Sequence, residues 1–97
     1  MKQLVIIGQG PAGISAALYA VRGGADVTVV ANGAGALARA GLIQNYYGFE
    51  DGISGRELIE AGVRQAEKRG VRIVRGELFG IEYAEEGFAV KTSAGTL

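Results

Sequence analysis

The stretch Val5-Ile6-Ile7-Gly8-Gln9-Gly10-Pro11-Ala12-Gly13-Ile14 decides the fold, because an apolar run breaks there into three glycines and a proline. A segment rich in alanine and with helical spacing follows directly. Two explanations fit such a break. Either the glycines form a backbone that holds a pyrophosphate, or they only make a tight turn from a strand into a helix.

The residues on both sides of this stretch predict a β-α-β unit. Gln3–Ile7 is dominated by Leu, Val and Ile, which is typical of a buried central strand in a parallel sheet. A helix begins at Pro11, where a missing N–H costs nothing, and Gly23-Gly24 ends it. Asp26–Ala31 is rich in β-branched residues and predicts a second strand. The crossover is expected to be right-handed, so that the strands run parallel. The apolar face of the helix has the spacing i, i+3, i+4, i+7, at Ile14, Ala17, Leu18 and Val21.

Each glycine of the turn has a physical role if the turn binds a pyrophosphate. Gly8 permits the sharp bend, Gly10 lets a phosphate approach the backbone, and Gly13 lets the helix pack close to the strand. The free amides of Ala12 and Gly13 then point at the phosphates, and the helix dipole favours the anion. The position of the pattern between a strand and a helix predicts a dinucleotide site, with a purely structural turn as the alternative.

The end of the second strand lacks a residue that many dinucleotide sites use. An acidic side chain about 20 residues after the glycines normally binds a ribose hydroxyl. Ala31 and Asn32 occupy that position here. Asn32 can donate or accept a hydrogen bond but carries no charge, so this position does not discriminate NAD from FAD. No Arg or Lys follows directly to bind a 2′-phosphate.

The segment after the second strand predicts a loop and then a second helix. Residues 32–45 are rich in Gly and Ala and are interpreted as a loop, with a short helical turn near residues 37–39. The aromatic cluster in residues 45–49 predicts a turn that either packs on the core or stacks on a ring ligand. Ser54 and Glu57 form a capping-box pattern at the start of a helix that runs to about Arg69.

The C-terminal part of the sequence predicts strands. Residues 71–74 predict a third parallel strand, and residues 78–83, 88–92 and 96–97 predict antiparallel strands joined by turns. The predicted fold class is α/β: a Rossmann-like parallel sheet with a β-α-β dinucleotide-binding unit plus an antiparallel β-meander. Because the last strand is short, residues 1–97 are expected to form a single dinucleotide-binding domain that is incomplete at its C-terminus.

The composition excludes several classes of function. The 97 residues include no cysteine and no histidine, which excludes disulfides, a redox-active Cys pair and the usual thiolate and imidazole metal sites within this chain. Ten basic and ten acidic residues balance, which argues against nucleic acid or an anionic membrane as a partner. The start of the chain does not resemble a secretory signal, so a cytoplasmic location is expected. No residue is assigned a catalytic or metal-binding role, and any chemistry is expected from a bound group.

Three motifs resemble the thioredoxin-reductase-like flavoproteins, which belong to the pyridine nucleotide-disulfide oxidoreductase superfamily and use FAD and NAD(P)H. The first is the glycine turn with the helix that follows it, residues 8–20. The second is Ile43-Gln44-Asn45-Tyr46-Tyr47-Gly48-Phe49, which is similar to the family's Ile-Glu-Asn-Tyr-Pro-Gly-Phe. The third is Ile53-Ser54-Gly55-Arg56-Glu57-Leu58, which is similar to Ile-Ser-Gly-x-Glu-Leu. Their order and spacing agree with the family along essentially the whole chain.

The resemblance implies FAD as the cofactor, with NAD(P)H as a co-substrate bound outside this chain, and a homodimer as the assembly. It implies that Ala31 and Asn32 border the adenosine ribose, that Asn45 contacts the flavin side, and that Leu78 offers its backbone to the adenine. The residues implied to hold the FAD pyrophosphate are Gly8, Gly10, Pro11, Ala12 and Gly13.

The chain departs from the family pattern in the loop that reaches the flavin. The family's Gly-Gly-Gln-Leu corresponds to Ala34-Gly35-Ala36-Leu37, so that an alanine stands where the family has glutamine. Gln44 replaces the family's glutamate and Tyr47 its proline. Three functions therefore stay open: the FAD-binding part of an oxidoreductase, a non-catalytic module that binds FAD, NAD or ADP, and half of an NAD-dependent dehydrogenase without flavin.

Overall fold

The β-α-β unit forms with the predicted boundaries. The computed structural model describes residues 2–32 and 41–97. In it β1 spans Gln3–Ile7, α1 spans Pro11–Arg22 and β2 spans Asp26–Ala31. The helix ends at the two glycines: the amide of Gly23 donates to the carbonyl oxygen of Tyr19, 3.0 Å away. The strands pair in parallel, which confirms the prediction.

The remaining elements are a short ribbon, a second helix, a third parallel strand and a meander. Their bounds are β3 Leu42–Ile43, β4 Ile53–Ser54, α2 Gly55–Lys68, β5 Arg72–Arg75, β6 Leu78–Tyr83, β7 Phe88–Thr92 and β8 Gly95–Thr96. The predicted α/β class is confirmed, with a parallel sheet in the order β1-β2-β5 and an antiparallel sheet in the order β6-β7-β8.

The middle position of the parallel sheet belongs to β2. Nearly every residue of β2 is buried, whereas Leu4 and Ile7 on β1 are 41% and 45% exposed. The prediction of a buried central strand at residues 3–7 is therefore wrong for the described part of the chain. No strand within residues 2–32 and 41–97 pairs with the outer edge of β1. An apolar run shows that a strand belongs to a parallel sheet, but its position in the sheet depends on the neighbouring strands.

Both helices pack against one face of the parallel sheet. Successive residues of a strand point to opposite faces, so Val27 and Val29 of β2 share the face that meets the helices. The valines contact apolar residues of both helices, and those of α1 lie at the predicted inner positions, which confirms the helical periodicity of α1. The buried residues of this cluster are Ile14, Ala17, Val27, Val29, Val63, Ala66 and Val71. Neither helix in the described ranges is long and apolar enough to cross a membrane.

The segment between β2 and α2 contains a short antiparallel pair that the sequence did not predict. Ile43 pairs with Ile53, and Leu42 pairs with Ser54. Two residues per strand give too little alternation to be recognised as a period-2 pattern. The predicted helical turn at residues 37–39 and the loop Ala34-Gly35-Ala36-Leu37 lie outside the described residues.

The capping interaction predicted for α2 is present. Ser54 precedes the helix with an extended backbone, and its side-chain oxygen accepts a hydrogen bond from the amide of Glu57 at 3.1 Å. A serine in this position satisfies one of the helix amides that would otherwise have no intrahelical partner. The N-terminus of α2 is therefore set by a local side-chain interaction.

Replacing Ser54 by alanine should lower the free energy of unfolding by about 1 kcal/mol, because the Glu57 amide loses its acceptor. The matched control is Ser15→Ala, which makes the same chemical change at an exposed position inside α1. Alanine is the better helix former there, so this variant should be as stable as the parent chain or slightly more stable. Urea denaturation of the three chains measures both effects. Equal losses in both variants would contradict the capping role.

Candidate functional site

The glycine turn lies at the edge of the sheet where β1 and β2 end. Gly8 has a φ of +114°, which is a backbone conformation that glycine adopts without strain. Its amide donates to the carbonyl oxygen of Val30 at 2.9 Å and so ties the turn to β2. A Cβ atom on Gly13 would collide with the Gly8 carbonyl oxygen and would lie 3.1 Å from the Gly8 carbonyl carbon. Only glycine at position 13 allows α1 to start this close to β1.

The first turn of α1 presents backbone amides that have no partner in the described residues. The helix begins after Gly10, and its first backbone hydrogen bond runs from the amide of Ile14 to the Gly10 carbonyl oxygen at 3.0 Å. Pro11 has no N–H. Within residues 2–32 and 41–97 the amides of Ala12 and Gly13 make no hydrogen bond. No acidic residue lies in this turn. Free amides at the positive end of a helix are suited to an anion.

Space for that anion lies over Gly10. A Cβ placed on Gly10 would meet no atom of the described residues within 4 Å. The backbone of Gly10 has φ −69° and ψ 179°, which any residue can adopt. Neither backbone strain nor protein packing within the described part of the chain therefore requires glycine here. A ligand that approaches the backbone would require it.

A cavity of about 560 Å³ lies between α2 and the ends of β2 and β5. Its volume falls within the roughly 300–1,000 Å³ of small-molecule sites. One part of its lining is apolar and continuous with the core, at Ala31, Ile59, Val63 and Ile73. Charged residues form most of the rest, at Arg56, Glu60, Arg64, Glu67, Arg75 and Glu77. The combination offers an apolar surface for a ring and polar groups for hydroxyls or phosphates.

The charged side chains around this cavity are not paired with one another. Two ion pairs occur in residues 2–32 and 41–97, and both lie away from the cavity. Arg72 binds both carboxylate oxygens of Asp26 at 3.0 Å. Lys91 lies 3.0 Å from Glu82 on the meander. The charged groups that line the cavity are therefore available to a ligand.

A smaller cavity of about 220 Å³ continues from the turn between α1 and α2. Gly10 and Pro11 line it together with Tyr46 and Phe49 from the aromatic turn. The two rings meet edge to face, with centroids 6.0 Å apart. Gln9 lines both cavities, so the glycine turn lies where they adjoin. The aromatic turn thus packs within itself and also forms a wall of the smaller cavity.

Most of the residues implied by the resemblance come together at this edge of the sheet. Ala31 and Asn32 line the larger cavity, and Gly10 and Pro11 line the smaller one. Gly8, Ala12 and Gly13 form the turn itself. The residues that the resemblance assigns to the pyrophosphate and to the ribose are therefore neighbours in space, although about 20 residues separate them in sequence.

Two of the implied residues lie beside the cavities and do not line them. Asn45 lies on the aromatic turn in a surface depression with Tyr47, whose side chain is almost fully exposed. Leu78 begins β6 and is half-buried, directly after the cavity residues Gly76 and Glu77. The backbone of Leu78 is thus close to the larger cavity, whereas Asn45 belongs to a different surface.

Sequence reasoning did not find Gln9, Arg75 or Glu77. Gln9 is 8% exposed and occupies one of the variable positions between the glycines, so the pattern gives no reason to select it. Arg75 is the register partner of Ala31, and Glu77 follows two residues later. The carboxyl ends of neighbouring parallel strands meet at one edge of a sheet, which is the signal that could have found both residues.

A parallel sheet with a glycine turn at its first crossover defines a Rossmann-type nucleotide-binding domain. A family model for pyridine nucleotide-disulphide oxidoreductases matches residues 2–96. The chain belongs to this family, which confirms the resemblance seen in the three motifs.

The chain is similar to thioredoxin reductases in both sequence and structure. The thioredoxin reductase of Streptomyces coelicolor is 34% identical over 100 residues, which cover 100% of this chain and 31% of that protein. The crystal structure of the atypical thioredoxin reductase TRi from Desulfovibrio vulgaris Hildenborough has 43% sequence identity and a TM-score of 0.87, covering 100% of this chain and 33% of that one. A thioredoxin reductase structure from Gloeobacter violaceus has 34% identity and a TM-score of 0.89, covering 99% and 31%. The chain thus spans about a third of the length of these relatives.

Alanine substitutions at Gly13 and Gly10 should distinguish a glycine that packing requires from a glycine that ligand access requires. Gly13→Ala should lower the free energy of unfolding by about 1–3 kcal/mol, because its methyl group meets the Gly8 carbonyl. Gly10→Ala, the matched control, places a methyl group in open space and should change stability by less than about 0.5 kcal/mol. Thermal and urea unfolding without ligand measure both. A Gly13→Ala chain as stable as the parent would contradict the close approach of α1.

Proposed function

We propose that this chain is the FAD-binding part of a thioredoxin-reductase-like flavoprotein oxidoreductase, in which electrons pass from NAD(P)H through FAD. The observation that carries the proposal is the pair of free amides, at Ala12 and Gly13, beside the open space over Gly10. The family membership and the thioredoxin reductases among the relatives support it. NAD(P)H would bind outside residues 1–97.

The residues present fit the pyrophosphate and the adenosine of FAD. The pyrophosphate would accept hydrogen bonds from the amides of Ala12 and Gly13, where no carboxylate in the first helical turn opposes it. The adenosine would occupy the larger cavity beside Ala31 and Asn32. The smaller cavity extends from the other side of the turn towards Tyr46 and Phe49. The flavin would lie on that side.

The contribution of this chain is binding and orientation. When bound, FAD supplies the redox chemistry, since it accepts electrons from a nicotinamide and passes them on. The 97 residues contain no cysteine or histidine, so the chain has neither a thiol for disulfide exchange nor an imidazole base. Its backbone amides fix the pyrophosphate, and its cavity lining fixes the adenosine. A cofactor anchored at these two points would hold its ring system in one place relative to the sheet.

We also propose that residues 1–97 act as one cofactor-binding unit and that the protein works as a homodimer in the cytoplasm. The resemblance to thioredoxin-reductase-like flavoproteins supports this setting.

Titration with FAD tests the proposed function directly. The chain should bind FAD and ADP, whereas FMN, which has neither the pyrophosphate nor the adenosine, should bind far more weakly. At a FAD concentration 100 times the dissociation constant, linkage adds about 2.7 kcal/mol of stability. For a domain of this size that corresponds to a rise in Tm of roughly 10 °C. Visible absorption of the protein after removal of free FAD gives a second measurement.

Gly10→Ala should weaken FAD and ADP binding by about tenfold or more, because its methyl group occupies the space through which a phosphate reaches the backbone. Because this variant should keep the stability of the parent chain without ligand, it is the appropriate one for this test. A parent chain that binds ADP and not FAD would favour the alternative of a nucleotide-binding module without flavin. A chain that binds none of these nucleotides would contradict the proposal.

A further inference from the structure

The adenosine end of the site lacks the acidic residue expected at the end of β2. In Rossmann-type sites a carboxylate there accepts hydrogen bonds from the ribose hydroxyls. In this chain β2 ends at Ala31 and is followed by Asn32. An adenosine in the larger cavity would still present two hydroxyl donors at this edge. A carboxylate that accepts from them must therefore come from another element.

Three carboxylates line the larger cavity in the described part of the chain: Glu60 and Glu67 on α2, and Glu77 between β5 and β6. Of these three, Glu77 alone directly follows a residue whose backbone is hydrogen-bonded to the end of β2. The amide of Gly76 donates to the carbonyl oxygen of Ala31 at 3.0 Å, and Glu77 is the next residue. Glu60 and Glu67 reach the same cavity from the helix that faces the sheet.

The backbone of Glu77 is held on both sides by Ser93. Its amide donates to the side-chain oxygen of Ser93 at 2.8 Å, and its carbonyl oxygen accepts from the amide of Ser93 at 2.9 Å. Gly76 belongs to the same packing, because a Cβ there would lie 2.8 Å from the Ser93 side-chain oxygen. The meander turn thus fixes the backbone of Glu77 at the cavity, so that ligand binding has to order only the side chain.

The side chain of Glu77 is not committed to another partner within residues 2–32 and 41–97. Neither of the two ion pairs in these ranges includes it. Arg56, Arg64 and Arg75 line the same cavity, yet none of them lies within ion-pair distance of Glu77. The residue is exposed at the cavity rim. It is therefore available to accept hydrogen bonds from a ligand.

We propose that Glu77 accepts hydrogen bonds from the adenosine ribose hydroxyls of the bound cofactor, in place of a carboxylate at the end of β2. The inference rests on the proposed function and names a specificity residue within it. The site then selects adenine nucleotides with a free 2′,3′-diol. A phosphate on the 2′-oxygen removes a donor and brings a second negative charge to the carboxylate, so the site rejects it.

Nucleotide analogues that differ only at the ribose test this assignment. Isothermal titration of the chain with ADP, 2′-deoxy-ADP, 3′-deoxy-ADP and 2′-phospho-ADP gives the dissociation constants. The parent chain should bind ADP at least about tenfold more tightly than it binds one or both of the deoxy analogues. It should also bind ADP at least about tenfold more tightly than it binds the 2′-phosphate analogue. Glu77→Ala should weaken ADP binding by a similar factor and bind ADP and the deoxy analogues nearly equally. Glu77→Gln, which keeps the size of the side chain, should lose the rejection of the 2′-phosphate.

Matched variants separate Glu77 from the other carboxylates. Glu85→Ala, at the exposed hairpin tip outside the cavity, is the control and should keep the discrimination of the parent chain. Glu60→Ala and Glu67→Ala test the two other carboxylates that line the cavity. Thermal unfolding without ligand shows that each variant is folded. Discrimination that persists in both Glu77 variants, or that is lost in a helix variant instead, overturns the assignment to Glu77 and leaves the proposed function intact. Tighter binding of the 2′-phosphate analogue than of ADP also overturns it. Failure of the parent chain to bind ADP at all contradicts the proposed function itself.

Discussion

The contact between Gly13 and the Gly8 carbonyl group is the constraint from which the site follows. At position 13 there is no room for a side chain, so α1 starts directly against the turn after β1. A helix displaced from this position would carry the amides of Ala12 and Gly13 away from the open space over Gly10. The same contact seats Ile14 in the core. Packing and anion binding are therefore set by one close approach of two backbone segments.

The local determinants of the fold could be read from the sequence. The bounds of α1 follow from Pro11 and from Gly23, and the start of α2 follows from the side chain of Ser54, because each acts within one helical turn. The position of β1 in the sheet could not be read in this way. It depends on which strands lie beside it, and an apolar composition is shared by edge and central strands. The β3–β4 pair was missed because two residues per strand carry no pattern.

The candidate site likewise has one part that could be predicted from the sequence and one part that could not. The proposed pyrophosphate side is a contiguous stretch of sequence, so the spacing of the glycines was enough to suggest it. The proposed adenosine side is assembled from three elements that meet only in the folded chain. Ala31 was assigned from its place after β2, but the charged groups opposite it became visible only when β5 was placed beside β2. Asn45 came from the resemblance alone, and the structure places it outside both cavities.

Binding of the proposed cofactor would be coupled to folding, because both depend on the β1–α1–β2 unit. Among the described residues, the largest fully buried side chains are three valines of β2: Val27, Val29 and Val30. A core of this kind supports a stability at the lower end of the roughly 5–15 kcal/mol of natural domains. A cofactor present at 100 times its dissociation constant adds about 2.7 kcal/mol, which is a large share of that total. The glycine turn is joined to β2 through the hydrogen bond from Gly8 to Val30, so a ligand held by the turn stabilises the strand that carries the core.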